Sequence, residues 1–422
     1  MTIDLQDRKS SNRAFRSTSM ACAADGGMEP PRTAAISALR KNGFWECLLT
    51  VCCGASLAVG LTGCGSYSSS GSTYTTPTTP SNSSPALWVA NGANVLEFSS
   101  TALTTAGSAA PAPTLILNSS VFASPQGVLF DTSSNLWVVD GGTISTGGKV
   151  KPALYQFTSA NLTALQSPAT GTPNVAIGSP AFVFPQQAVF DSKGDLWVSD
   201  NGANAIFEFM PSQLMASGTA VEPNITIKSD PAFNGPLGIA FDSSGDLWIA
   251  NNGTTTIFEF KAAALPTAGG SMTLAPSVIL TDDGKQSIQG PWALAFDSSG
   301  NLWSSNANSP NTVVQFSKAS LAITGSPTPS VTLSSAMVSG NASLNAPNGI
   351  AFDKTGDLAV VNSATPFGVG LYSASQLTAG GAVAPNVFIV GAATTLNLPA
   401  GDTFGPTIVY GTAGTYSSGP TY

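Results

Sequence analysis

An eleven-residue stretch, FDSSGDLWIAN (241–251), recurs along the chain and restricts what it can fold into. It returns as FDTSSNLWVVD (130–140), FDSKGDLWVSD (190–200), FDSSGNLWSSN (296–306) and FDKTGDLAVVN (352–362), and a headless copy, ALWVAN, opens the series at 86–91. Each copy joins two short apolar runs through a polar turn, the pattern of a β-hairpin. Within the turn, Asp242 is placed to accept the amides that follow it, and Gly245 supplies the positive φ that closes a short connection. Asp131, Asp191, Asp297 and Asp353 repeat the role.

Three more strand families accompany the hairpin in fixed order. An apolar strand follows a proline in PQGVLFD (125–131), PQQAVFD (185–191), PLGIAFD (236–242), PWALAFD (291–297) and PNGIAFD (347–353). A third strand follows the LWV strand: NVLEF (94–98), ALYQF (153–157), AIFEF (205–209), TIFEF (256–260), TVVQF (312–316) and VGLYS (369–373). A fourth comes after a Ser/Ala/Leu/Gly stretch, from PTLIL (113–117) to PNVFI (385–389). Alternating apolar residues in runs of this length, bounded by Gly, Pro and Asn, are strands by period and propensity. Between Trp88, Trp137, Trp197, Trp248, Trp303 and Ala359 the spacings are 49, 60, 51, 55 and 56 residues. Four strands repeated at that period make propeller blades.

The expected fold is therefore all-β: a six-bladed β-propeller with four antiparallel strands per blade. Only five proline-led strands precede a complete hairpin, and GPTIVYG (405–411) is expected to supply the sixth. That strand would join the N-terminal blade and lock the circle. Expected boundaries are a propeller over 86–411 and a C-terminal tail over 412–422. The tryptophans should fill the wedge between neighbouring blades, where a large ring fits.

In this order the motifs resemble those of NHL-repeat propellers and, more loosely, of the gluconolactonase/senescence-marker superfamily of six-bladed propellers. The resemblance covers roughly 86–411 and implies the fold more strongly than any function, because that superfamily holds both enzymes and binding scaffolds.

Composition narrows the chemistry. Histidine is absent, which removes the usual general base, the usual zinc ligand and any Ser-His or Cys-His pair. It also separates this chain from the virginiamycin-lyase type of propeller, which works with histidine. All five cysteines (Cys22, Cys47, Cys52, Cys53 and Cys64) precede the repeats, so the propeller has no disulfide and no thiolate metal site. From residue 65 onward there are 8 Lys and no Arg against 18 Asp and Glu, a balance of −10 that would repel a phosphate backbone. No nucleic-acid partner is expected.

The N-terminal region carries a different signal. Residues 44–63, FWECLLTVCCGASLAVGLTG, follow Arg40-Lys41 and have the length of a signal-peptide apolar core rather than of a spanning helix. They end in Leu61-Thr62-Gly63-Cys64, which resembles the lipobox of bacterial lipoprotein precursors. The resemblance implies that residues 1–63 are a signal peptide, over-long at its start, with translation beginning at Met28 or Met20. It implies cleavage before Cys64 and lipidation of its thiol, anchoring the protein in the cell envelope. Residues 64–85, rich in Ser, Thr, Gly and Pro, then read as a flexible tether.

Propellers present ligands on the face where inner strands begin and second strands turn into third. There the sequence puts Asn91, Asp140, Asp200, Asn251, Asn306 and Asn362. Each can bond its own turn's backbone, and Asp140 with Asp200 is the one carboxylate pair available for acid–base work. Nearer the axis stand the residues after each proline: Gln126, Gln186, Leu237, Trp292 and Asn348. In gluconolactonase-like enzymes this position contributes Asn and Asp ligands to a divalent metal. Here only Asn348 matches in type, Leu237 and Trp292 cannot coordinate, and the sixth position, taken as Gly405-Pro406, departs from the pattern. The oxygen-rich turns suggest calcium, yet each has at most two carboxylates and no bidentate Glu. No cofactor is expected. Candidate ligand-binding residues are Trp292, Asn348, Gln126, Gln186, Asp140 and Asp200, and no catalytic residue is assigned.

Long connections at TDDGKQSIQG (281–290), SSAMVSGNASLNA (334–346) and VGAATTLNLPAGDTF (390–404) are the expected seat of variable recognition. The sequence thus points to a lipid-anchored, monomeric scaffold that binds a protein or glycan partner without catalysis. The alternative is a divalent-metal-dependent hydrolase or lactonase with oxygen ligands on the same face. A third possibility is a purely structural surface protein.

Overall fold

The computed structural model describes residues 85–104, 106–143 and 150–406. The hairpin, inner-strand and third-strand families all fold as strands. Each inner strand runs from its proline to its phenylalanine, as in Pro125–Phe130, Pro185–Phe190, Pro236–Phe241, Pro291–Phe296 and Pro347–Phe352. Antiparallel pairing carries each inner strand to the LWV strand, then to the third strand, then to an outer strand such as Val175–Gly178 or Val278–Thr281. Six such sheets form the six-bladed propeller.

The ring is closed by the C-terminal segment, but by an earlier stretch than expected. Pro399–Gly405 (PAGDTFG) pairs antiparallel with Ala86–Asn91, with Ala86 opposite Gly405 and Val89 opposite Asp402. Residues 407–411 of GPTIVYG lie outside the described residues, as do the leader, Cys64 and the tether as far as residue 84. The reason for the shift is in the pattern itself. PAGDTF repeats the P-x-G-x-x-F spacing of PQGVLF and PNGIAF, with Asp402 standing where Val128 and Ile350 stand. The third long connection therefore spans only 391–398. Blade one consists of Pro399–Gly405, Ala86–Asn91, Asn94–Phe98 and Leu115–Asn118, and blades two to six follow along the chain.

The ring is also laced on its outside, which the sequence did not announce. In every blade the connection between third and outer strands reaches back to the preceding blade's outer strand and pairs with it in parallel. Gly107–Ala109 of blade one does so on Val387–Val390 of blade six, and Gly270–Leu274 of blade four on Ile225–Ser229 of blade three. Ala169–Thr170 and Gly381–Ala382 do the same, and at the two remaining seams single bridges join Ile177 to Gly218 and Leu280 to Gly325. Outer strand edges, which would otherwise present unpaired amides, are covered in this way.

Between blades, one indole fills the wedge at five of the six seams. Trp88, Trp137, Trp197, Trp248 and Trp303 are all nearly or fully buried. Each stands edge-on or nearly so to the phenylalanine ending the next blade's inner strand (Phe130, Phe190, Phe241, Phe296 and Phe352), with ring centroids 5.5–6.2 Å apart.

The turns work as their sequence suggests. Asp242 Oδ1 accepts the amides of Ser244 and Asp246 at 2.8 and 3.0 Å, and Asp131, Asp191, Asp297 and Asp353 do the same in their blades. The closing position is left-handed, with φ of 79° at Gly245 and 85° at Gly194 and Gly356. Blade two alone puts a side chain there, Ser134 at φ 61°. Ser134→Gly should relieve that strain and stabilise the protein by about 0.5–1 kcal/mol. Urea unfolding checks this, and a lowered midpoint would contradict it.

Candidate functional site: the axial face and channel

Six polar side chains end the second strands on one face, and each is buried: Asn91, Asp140, Asp200, Asn251, Asn306 and Asn362. Their oxygens are committed to backbone. Asp140 accepts from Ala123 N at 2.8 Å, Ser124 N at 3.1 Å and Gly142 N at 2.8 Å. Asp200 accepts from Val183 N at 2.8 Å, Phe184 N at 2.9 Å and Ala203 N at 2.8 Å. Asn251, Asn306 and Asn362 take the amides of Asn234, Gln289 and Asn345 at 2.7, 2.9 and 3.0 Å. Asn91 does the same for Asn397 across the closure of the ring. In every blade the donor lies two residues before the proline that starts the inner strand. The ring is thus a set of clamps that fix where each inner strand enters the axis.

Burial pushes the carboxyls of Asp140 and Asp200 above their ordinary range, and the donated amides offset part of that rise. Asp140 and Asp200 hold separate sets of amides in neighbouring blades, so no shared proton or shared cation site is built between them.

One step inward are the residues that follow each proline. Gln126 donates to its neighbour Ser124 Oγ at 2.7 Å, Gln186 and Leu237 are buried, and Trp292 is half-buried. Asn348 is 6% exposed, and its Oδ1 receives no hydrogen bond. With the closing strand placed at 399–405, the sixth residue of this ring is Ala400, not part of Gly405-Pro406. Three of the six positions, Leu237, Trp292 and Ala400, therefore carry no oxygen ligand in their side chains.

Beyond this ring the axis opens into a channel of about 410 Å³. Its wall includes Val128, Ala188, Ile239, Leu294, Ile350 and Asp402, the residues three places after each proline. Five are apolar and the sixth is a carboxylate. Asp402 reaches across to blade six, where its Oδ1 lies so close to Gly349 that a Cβ there would meet it at 2.3 Å. Both oxygens are buried without a hydrogen-bond donor, and burial raises the pKa well above the ordinary 3.8. Among the residues lining the channel Asp402 is alone in carrying a charge-bearing group. Sequence reasoning missed it because the closing strand was sought downstream. Aligning PAGDTF on PQGVLF would have shown a carboxylate in an apolar slot.

A second acidic group lies at the turn end of blade four. One oxygen each of Asp242, Asp246 and Glu259 falls within 4.8 Å of the others. Glu259 was missed because it sits on the third strand, directly opposite Trp248. The Lys261 ammonium already fills this cluster, 3.0 Å from Asp246 Oδ2 and in contact with Glu259 Oε1. The connecting loops are internally tied: Asp282 accepts Ile288 N and Ser287 Oγ, and 334–346 folds back as a hairpin pairing Met337–Val338 with Asn341–Ala342.

No protein-family model matches the chain, and no curated protein matches it by sequence. Solved structures do match. A protein of unknown function from Bacteroides caccae is similar over 76% of this chain and 99% of its own, at 10% identity and a TM-score of 0.50. The periplasmic gluconolactonase of Pseudomonas aeruginosa is similar over 76% of this chain and 99% of its own, at 14% identity and a TM-score of 0.43. A streptogramin B lyase shares 17% identity over 60% of this chain, which spans 66% of the lyase, at a TM-score of 0.35. The chain is a six-bladed β-propeller. Its structural neighbours include a gluconolactonase and virginiamycin B lyases.

Asp402 gives the site a testable energetic signature. Because its folded pKa is raised, its contribution to stability is fully present below pH 3.8 and is lost as pH rises through the folded pKa. Asp402→Val, which copies Val128, should therefore stabilise the protein at neutral pH by roughly 1–3 kcal/mol. The gain should shrink toward pH 4. Urea midpoints of both proteins between pH 4 and 8 measure it, and a gain independent of pH would contradict the assignment.

Proposed function

We propose that the protein is an extracytoplasmic scaffold, lipid-anchored through Cys64, that binds or assembles a partner without catalysis. The observation that carries this reading is the commitment of the axial polar ring. Every Asp and Asn in it accepts a backbone amide from the loop entering an inner strand. A general base must reach a substrate proton, and a metal needs several convergent oxygens; both Asp140 and Asp200 are already enclosed by amides. The partner is a protein or glycan bound by one monomer, met by the rim loops around Trp292 and Asn348. No helix among the described residues is long and apolar enough to cross a membrane, and anchoring is assigned to acyl chains on Cys64.

The second reading, a divalent-metal-dependent hydrolase, is favoured by one observation. The buried Oδ1 of Asn348 has no donor and occupies the position where gluconolactonase-like enzymes place a metal ligand. Against it stand the hydrocarbon side chains of Leu237 and Ala400 and the indole of Trp292 in the same ring.

Thermal unfolding with millimolar CaCl2 and with EDTA separates the two readings. The scaffold reading expects the same melting temperature in both and in Asn348→Ala. A rise with calcium that Asn348→Ala abolishes would favour the hydrolase. For the anchor, the protein expressed in a bacterium fed labelled palmitate should carry the label, and Cys64→Ala should lose it. Label retained in that variant would overturn lipidation at Cys64.

A further inference from the structure

Five seams of this propeller show what fits between two blades. In four of them the indole N–H is donated to Oδ2 of the turn aspartate in the same blade: Trp137 to Asp131 at 3.1 Å, Trp197 to Asp191 at 3.3 Å, Trp248 to Asp242 at 3.4 Å and Trp303 to Asp297 at 3.0 Å. The ring face is then flanked by the next blade's phenylalanine. The fifth, Trp88, has the phenylalanine but no aspartate, because the closing strand ends Phe404-Gly405, and its Nε1 is left without an acceptor.

The seam between blades six and one is the converse. Asp353 is in the acceptor position and Phe404 in the flanking position, but Ala359 stands where the indole should be. The residue opposite changes with it. Gln156, Glu208, Glu259 and Gln315 face their tryptophans across the strand pair, whereas Leu371 faces Ala359. Leu371 helps to cover Ala359, which is fully buried, yet it does not fill the seam. A cavity of about 440 Å³ remains, lined by Asp353, Leu371 and Phe404 together with Leu103, Val387 and Asn386. Asp353 Oδ1 is used by the amides of Thr355 and Asp357, as in its sister turns, while its Oδ2 lacks the indole donor found in blades two to five.

We propose that this seam pocket binds a planar aromatic group of indole size carrying an N–H donor, either in a free small molecule or as the tryptophan side chain of a peptide. The ring lies between Leu371 and Phe404, outboard of Ala359, and its N–H is donated to Asp353. An aspartate and a phenylalanine in the same two positions hold an indole in four other seams, and the apolar part of this pocket, Leu371, Val387 and Phe404, offers a ring the matching contacts. The pocket opens on the face opposite the Asp/Asn ring, so it stands independently of the scaffold reading.

Calorimetric titration of the full chain with indole, 1-methylindole and an acetylated, amidated Gly-Trp-Gly peptide tests this. Indole should bind, and 1-methylindole, which has no N–H, at least about tenfold more weakly. Asp353→Ala should reduce indole to the level of 1-methylindole and leave 1-methylindole unchanged. Ala359→Trp with Leu371→Glu restores the repeat, and should raise the melting temperature and abolish binding. Should that double variant fail to fold, Leu371→Trp blocks the pocket from the neighbouring strand and should likewise abolish binding. Binding of the peptide as well as indole assigns a side-chain ligand; binding of indole alone assigns a small molecule. No binding of indole by the wild type, equal binding of 1-methylindole, or unchanged binding in a filled variant would overturn the proposal.

Discussion

A ring of sheets holds only if its last seam closes as firmly as the others, and here the closing strand arrives from the far end of the chain. Fixing two segments about three hundred residues apart costs chain entropy that rises only with the logarithm of loop length. Three separate sets of bonds oppose that cost. Pro399–Gly405 pairs with Ala86–Asn91 at the axis, Asn91 clamps the amide of Asn397 on the face, and Gly107–Ala109 lies along Val387–Val390 at the rim. The closing blade copies the strand pairing, the clamp and the outer lacing that join the consecutive blades, but not the tryptophan wedge, since Ala359 stands where the indole would be.

Bringing six inner strands together at one axis also constrains the sequence of four of them, while Gln187 and Ala293 take the same position in the other two. Two residues after the proline, Gly127, Gly238, Gly349 and Gly401 sit where an added Cβ would meet the next inner strand at 2.3–2.8 Å. The clamp residues obey a related demand, since each must place an oxygen where the incoming loop turns its amide. Asp and Asn alternate in that ring without order because either supplies the oxygen, and this explains why the acids there spell out no charge pattern.

What was legible in the sequence follows from repetition. Strand order and the tryptophan wedges were each stated five or six times and the Asp-x-x-Gly turn four times, so local noise cancelled. The closing strand was stated once and misplaced, because GPTIVYG matched the apolar content of an inner strand while PAGDTF matched its spacing. Spacing is the stricter guide here, since the proline, the glycine and the phenylalanine each meet a separate steric demand and the residue between them only fills space. The acid at 402 disguised a strand. The outer lacing was hidden for a different reason: short parallel bridges such as Ile177 to Gly218 use backbone groups alone and leave no side-chain pattern to read.

The departures from the repeat gather where the ends of the array meet. Asp402 replaces an apolar residue, Trp88 has no acceptor, and Ala359 with Leu371 replaces an indole and its polar neighbour. Inner blades are held to the pattern by a complete hairpin within themselves and by equivalent neighbours on both sides. Blade one has a split hairpin, and the seam on its far side joins residues remote in sequence, so neither constraint is complete there. A polar ring repeated in six blades reports the geometry of the axis, whereas a buried carboxylate and an empty wedge occurring once each break a rule that the same molecule states five times over. In a propeller with its repeated polar groups committed to backbone, capacity for binding is to be sought at the positions where the repeat fails.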